Sequence, residues 1–242
     1  MHARSLIGAL ALVALAAGCK GQDGPTADAA VGRLVLHLDH FAGGEPLVLH
    51  TGSATNAAGN TYTTTLLEYV ISNIALVRSD GTFTTDKLHY RNAADPATRS
   101  VEIDGVPAGT YVGLRFTFGI PGDQNRSGAW PELDRAGMAW PAQMGGGYHA
   151  MRHEGRFGDG HAFATHLGPS GGQDHSVVVQ IPLIDWQLKA GERTPLTIGM
   201  ELNNWYAGPN VYDLTGKGGI MGKPAHQKTL AGNGGDVWRR VP

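Results

Sequence analysis

Residues 137–155, GMAWPAQMGGGYHAMRHEG, gather Met138, Met144, Met151, Trp140, His149 and His153 around a run of three glycines. Thioethers and imidazoles are the donors of a soft-metal site, and an indole beside them adds an oxidisable ring. His149 and His153 are four apart, which puts them on one face of a helix or a strand. The run Gly145-Gly146-Gly147 argues against a helix, and four residues of strand set two rings too far apart for one ion without distortion. These two histidines are therefore second-line ligands. The methionines are irregularly spaced, which suits gap-filling in a core or loop. Trp140 reads as a packing residue or as a target for chemistry.

A second candidate lies near the start of the body. Leu34, Leu36 and Leu38 alternate along one strand face, and His40 continues the same row before a Gly-Gly turn. A buried imidazole there needs a partner, either a hydrogen bond or a metal. His37 falls on the opposite face, so it joins His40 at one ion only across a bulge. His89 sits in another strand-like run, Lys87-Leu88-His89-Tyr90. His50, before a Thr-Gly turn, reads as solvated, and His161, His175 and His226 read as surface residues. His166 reads as structural.

The single cysteine, Cys19, limits the chemistry further. Met1 to Gly18 has a basic start, an apolar run and a small-residue exit, the layout of a secretory leader. Leu15-Ala16-Ala17-Gly18-Cys19 follows the pattern of a bacterial lipobox, in which Cys19 is lipidated and becomes the first mature residue. Lys20 after it favours delivery to the outer membrane. No intrachain disulfide can form, and a lipidated Cys19 leaves no thiolate for a metal or for nucleophilic catalysis. Any metal falls to His, Met, carboxylate or a less usual donor.

The segments that must position these residues read as strands. Residues 19–32 form a polar tether, and residues 33–242 suit one domain with a proper core. Short alternating runs are separated by Gly, Pro, Asn and Asp: Arg33 onward, Tyr62 to Leu67, Tyr69 to Val77, Lys87 to Tyr90 and Arg99 to Ile103. They continue at Val112 to Phe118, Gly147 to Gly155, Phe163 to Leu167, Ser176 to Leu183 and Pro195 to Leu202. The Val112 to Phe118 strand should be central. Residues 119–142 read as a long loop, Leu133 to Met138 and Ile184 to Leu188 as possible short helices, and residues 206–242 as a surface-hugging Gly-rich tail held by Trp238. The 36 glycines and low aromatic content fit many turns. The expectation is an all-β, two-sheet antiparallel β-sandwich, immunoglobulin-like, with long Gly-rich loops. A net charge of -2 without a basic run excludes nucleic acid as a partner.

Several stretches together resemble the MbnP-like family of periplasmic proteins, including the branch known as one half of a metallo-mystery pair. Leu36-His37-Leu38-Asp39-His40 with Gly43-Gly44-Glu45-Pro46-Leu47 resembles its opening strand. Leu67 to Ile74 with Arg78-Ser79-Asp80-Gly81, and Val106 to Gly119, resemble its middle strands. Gly137-Met138-Ala139-Trp140, Gly147-Tyr148, Glu154-Gly155 and Thr165-His166-Leu167-Gly168 resemble a later block, and Ile220-Met221 with Asp236-Val237-Trp238 its close. Two departures stand out: Gly171-Gly172 occupies the region where one branch carries cysteine, and Ala142 replaces a second tryptophan.

The resemblance implies a copper-binding protein, with Cu(I) favoured, whose histidines are assisted by a tryptophan oxidised to kynurenine by a dihaem cytochrome c peroxidase-like partner. It implies that two histidines from separate β segments share the ion, and His40 with His89 is the closest match. Trp140 is the candidate for modification. No Gly-x-Ser-x-Gly, P-loop, His-Glu-x-x-His or haem-attachment motif is present, so a binding protein rather than an enzyme is expected. The alternatives are a non-metal, structural or carbohydrate-facing β-sandwich lipoprotein with Trp130 and Trp205 exposed for stacking, and a redox enzyme with copper at an open site. The expected location is the outer membrane, anchored by lipid and facing the periplasm or the outside.

Overall fold

The computed structural model of the protein describes residues 30–242. The leader, Cys19 and nearly all of the tether lie outside the described residues. The strands are β1 (Val31–Ala42), β2 (Glu45–Pro46), β3 (Ser53–Thr55), β4 (Thr61–Val77), β5 (Thr82–Thr84), β6 (Leu88–Asn92) and β7 (Ser100–Pro107). They continue with β8 (Gly109–Phe118), β9 (Met151–Phe157), β10 (His161–Ala164), β11 (Val177–Leu188), β12 (Arg193–Glu201) and β13 (Trp238–Arg240). Two helices, α1 (Pro131–Arg135) and α2 (Pro224–Asn233), complete the regular structure with four short 3-10 turns.

These strands form the two sheets of an all-β sandwich. In the smaller sheet β1 lies between β12 on one edge and β7, then β2, on the other, with β13 beyond β12. The pairing is antiparallel-rich, with β1 and β12 as a parallel exception running from Arg33↔Arg193 to Phe41↔Glu201. In the larger sheet, in the order β10-β9-β4-β8-β11, β4 also pairs with β3, β5 and β6. One edge of β4 takes β9 over residues 62–69 and β8 over residues 71–77. The two meet at Val70, whose N–H donates to Ala150 and whose carbonyl accepts from Gly119. Gly119 has φ +93°, and a Cβ there would stand 2.8 Å from that of Ala150, so the abutment requires glycine.

Alternation along the strands builds the core as the pattern predicts. Leu34, Leu36 and Leu38 are fully buried, and so are Tyr69, Phe116 and Phe118. Tyr69 stacks on Phe118 and meets Trp238 edge-on, while Phe118 also packs on Trp205, so aromatic contacts fasten β13 and the C-terminal segment to the larger sheet. Residues 206–242 are thus not a surface tail. Tyr206, Tyr212, Leu214, Ile220 and Leu230 are core residues, and α2 packs there although no amphipathic period announces it. Trp205 is fully buried and Trp130 half-buried, which removes Trp205 as an exposed stacking platform. Ile184 to Leu188 is strand rather than helix, with a bulge between Pro182 and Trp186 that puts Asp185 at φ 52°.

His153 on β9 is a core residue with both ring nitrogens engaged. Its Nε2 shares a hydrogen bond with Thr64 Oγ1 at 2.9 Å and its Nδ1 with Tyr206 Oη at 2.8 Å. Burial pushes this imidazole down to about 3. An unfolded imidazole titrates near ~6.5, so below that value the unfolded chain binds more protons than the folded one. The stability His153 contributes is therefore complete above about pH 6.5 and is lost as pH falls toward 3, with a slope approaching about 1.4 kcal/mol per pH unit. Denaturant titrations of the metal-free protein at neutral and acidic pH should show this loss, and His153→Gln should flatten the slope by close to one proton. Equal slopes in the two proteins would refute the assignment.

Candidate metal centre

The quoted stretch folds as a hairpin followed by a strand. Trp140 N–H donates to the Gly147 carbonyl and His149 N–H to that of Met138, each at 2.8 Å, so Pro141 to Gly146 form the loop between the arms. Gly145, Gly146 and Gly147 all have positive φ, which lets the return arm turn back at once. The next residues enter β9, where Met151, His153 and Gly155 face the core while Arg152 and Glu154 face the opposite side. The parity of one strand thus separates His153, in the core, from Glu154. Met138 and Met151 are fully buried core residues, and Met144 is exposed at the loop tip.

His149 lies where the hairpin meets residues 165–168. Its ring stands edge-on to Trp140, with centroids 4.7 Å apart, and edge-on to His166, 5.0 Å away. His149 Nδ1 is buried without a hydrogen-bond partner, and so is the indole Nε1 of Trp140. Burial, with His166 and Arg152 nearby, pushes His149 down to about 3, so at neutral pH it offers a bare lone pair. His166 Nε2 is 2.8 Å from Glu154 Oε1, and its Nδ1 is 3.2 Å from the Met221 sulfur. With the Nε2 proton donated to the carboxylate, Nδ1 presents its lone pair to a thioether. Two electron-pair donors then point toward each other 3.2 Å apart. Arg152, held by Glu68 at 2.8 Å and by Glu154 at 3.5 Å, has its charge balanced beside the cluster.

The C-terminal segment fixes this geometry. Gln227 of α2 is fully buried; its Nε2 donates to the carbonyls of His166 and Ile220, and its Oε1 accepts from Gly168 N–H. One amide therefore ties His166 to the residue before Met221. Gly168 lies flat against the Trp140 ring, where a Cβ would meet Cε3 at 2.4 Å.

The other candidates are placed as follows. His40 faces the space between the sheets, with Nε2 2.9 Å from Tyr69 Oη, and burial pushes it down to about 4. His89 pairs with Ile71 on the same inner face of β4 as Tyr69, and its Nε2 is buried without a partner. Arg91, opposite Tyr69, is close enough to depress both imidazoles. His37 is half-buried on the other face of β1. His175, expected at the surface, is buried with Nε2 unpartnered. Among the described residues no three His, Cys, Asp or Glu side chains form a metal-binding group by themselves. His166 and Met221 escaped the sequence reading as donors because their meeting, across 55 residues, depends on α2.

A two-sheet all-β domain with imidazole, thioether and indole gathered against one sheet is the class of protein this chain represents. It belongs to the MbnP family, whose model matches residues 31–222. The structure resembles that of MbnP from Methylosinus trichosporium, with a TM-score of 0.54 over 79% of this chain and 82% of that one at 16% sequence identity, a likeness of fold. No curated protein matches the sequence. Among the described residues no helix is long and apolar enough to cross a membrane.

The contact between Gly168 and Trp140 predicts that Gly168→Ala destabilises the protein by about 1–3 kcal/mol through overpacking. In a Trp140→Ala background the same change should be nearly neutral. Chemical denaturation of the four proteins measures the coupling, and additive losses would show that the indole does not rest on this glycine.

Proposed function

We propose that the protein is a periplasmic copper-binding protein that holds Cu(I) with His149, His166 and Met221, beside Trp140. The observation that carries this reading is the buried, unpartnered Nδ1 of His149 next to His166, whose own Nδ1 faces a thioether sulfur. A buried polar atom without a partner costs about 1–3 kcal/mol, and a soft cation among these donors would remove that cost. Neutral imidazoles and a thioether without a thiolate suit Cu(I), which is content with few, soft ligands. Bound copper would supply a reversible one-electron centre or simply a stored ion.

The surrounding residues have separate tasks. Glu154 holds His166 Nε2, which sets the tautomer and raises the basicity of Nδ1. Gln227 and α2 set the distance between His166 and Met221, and the hairpin shields the site from water. Trp140 lies edge-on to His149, within reach of a metal held by that imidazole. Under this reading a dihaem cytochrome c peroxidase-like partner uses two equivalents of peroxide to cleave the pyrrole double bond of Trp140 to formylkynurenine, and hydrolysis releases formate, leaving the aniline nitrogen of kynurenine as a further donor. Lipidation at Cys19 would hold the protein at the outer membrane.

His40 with His89 is the second placement, favoured by the unpartnered Nε2 of His89. Arg91 and Lys87 oppose a cation at His89, while at His40 Asp39 favours one against the weaker opposition of Arg99 and Arg91.

Anaerobic Cu(I) titration against a competing chelator distinguishes the two placements. His149→Ala and His166→Ala should each weaken binding by about tenfold or more, and Glu154→Gln by about tenfold, while His40→Ala and His89→Ala leave it unchanged. The reverse pattern would move the site to the second placement, and absence of binding in the parent protein, before and after exposure to the haem partner, would end the copper reading. Intact mass after co-expression with that partner should show the Trp140-containing peptide heavier than with tryptophan and lighter than with formylkynurenine, and Trp140→Phe should abolish the change.

A further inference from the structure

Arg91 is a buried cation without a counter-ion. It is 7% exposed, on the inner face of β6, opposite Tyr69. Its Nη1 donates to the carbonyl of its neighbour Tyr90, its Nε–H has no acceptor, and among the described residues no carboxylate forms a salt bridge with it. An arginine stays protonated, and a buried unpaired charge is penalised by several kcal/mol. The side chain lines a cavity of about 360 Å³ at the end of the sandwich where β1 turns into β2.

The acidic groups of that cavity are already engaged. Asp39 accepts from Arg99 Nη2 at 2.6 Å and from its Nε at 3.1 Å. Asp95 caps the 3-10 turn after β6 by accepting from Ala97 N–H. Glu68, the nearest acid along β4, faces the other side of the sheet, where it takes Tyr90 Oη and Arg152. His40 lines the cavity too, with Nε2 already bonded to Tyr69. The remaining wall is mixed: Leu38, Leu47 and Leu49 give it an apolar side, and Asn92, Thr98 and Arg99 a polar one.

The geometry points to this cavity as a binding site for a small organic carboxylate, with Arg91 as the anion anchor and Leu38, Leu47 and Leu49 against the ligand's apolar body. A guanidinium presents parallel N–H groups that match a planar carboxylate, and pairing it would relieve the unpaired charge. The volume falls at the small end of ligand cavities and suits an acid of a few carbons or a single ring. Inorganic anions would satisfy the charge and leave the apolar side bare. The inference does not rest on the copper reading, which concerns donors on the far side of the larger sheet.

The test uses hexanoate and benzoate as probes, with hexanamide, benzamide and inorganic phosphate as comparators, in calorimetric titration of the purified protein. At least one acid should bind saturably, its amide about tenfold or more weaker, in line with the strength of a charged hydrogen bond. Arg91→Met should lose the preference for acid over amide. Because it removes a buried unpaired charge, it should also melt no lower than the parent protein. Arg91→Lys, which keeps the charge without the fork, should bind the acid between the two. Absence of binding by both acids, equal binding of acid and amide, preference for phosphate, or acid binding undiminished in Arg91→Met would each overturn the proposal. So would a Met variant that melts far below the parent, because the guanidinium would then be satisfied in the unliganded protein.

Discussion

One strand carries the pairing of most of the larger sheet. The 17 residues of β4 pair with β3, β5, β6, β8 and β9, and two of these partners share a single edge end to end. Such a strand cannot shift by one residue without turning every side chain to the other face. Its register fixes which residues of five neighbours look into the core and which look away. Tyr69, Ile71, His89 and Arg91 share the inner face, while Glu68, Arg152 and Glu154 share the outer one.

Local alternation was enough to read much of this frame from the chain. The row Leu34, Leu36, Leu38, His40 and the central β8 are visible because each residue's environment follows from the one two places earlier. The two halves of β4 looked like separate strands because Glu68, a charged residue, breaks the apolar run; its partners Tyr90 and Arg152 come from other strands. The parallel pairing of β1 with β12 joins residues about 160 apart and leaves no local trace. The C-terminal segment misled for the same reason. Its glycines suggest a surface path, whereas Trp205, Tyr206 and Tyr212 are held inside by contacts with distant strands.

The candidate site divides along the same line. Trp140 and His149 could be suspected from their types and their place in a glycine-turned hairpin. His166 and Met221 required a tertiary contact for which the sequence offers only an unremarkable glutamine. Gln227 spans two chain segments with a donor pair and an acceptor, and its position on α2 follows from packing rather than from a helical apolar period. Donor sets gathered by long-range contacts are the part of function least legible in one dimension. Donor sets lying within one hairpin are the most legible.

The two faces of β4 also separate two electrostatic environments that would defeat one another if mixed. On the outer face Arg152 is balanced by Glu68 and Glu154, so the imidazoles beside it meet a nearly neutral surrounding and keep their lone pairs. On the inner face Arg91 has no salt-bridge partner among the described residues, and its charge disfavours a protonated imidazole at His89 and, more weakly than Asp39 favours one, at His40. The difference originates in the placement of one carboxylate. Glu68 follows Leu67 and precedes Tyr69, and the parity of the strand sends it outward to Arg152 instead of inward to Arg91. A carboxylate cannot simply move one position along, because position 69 is the fully buried Tyr69 that stacks on Phe118 and meets Trp238, so the aromatic packing of the inner face is what leaves Arg91 without an acid opposite it on β4.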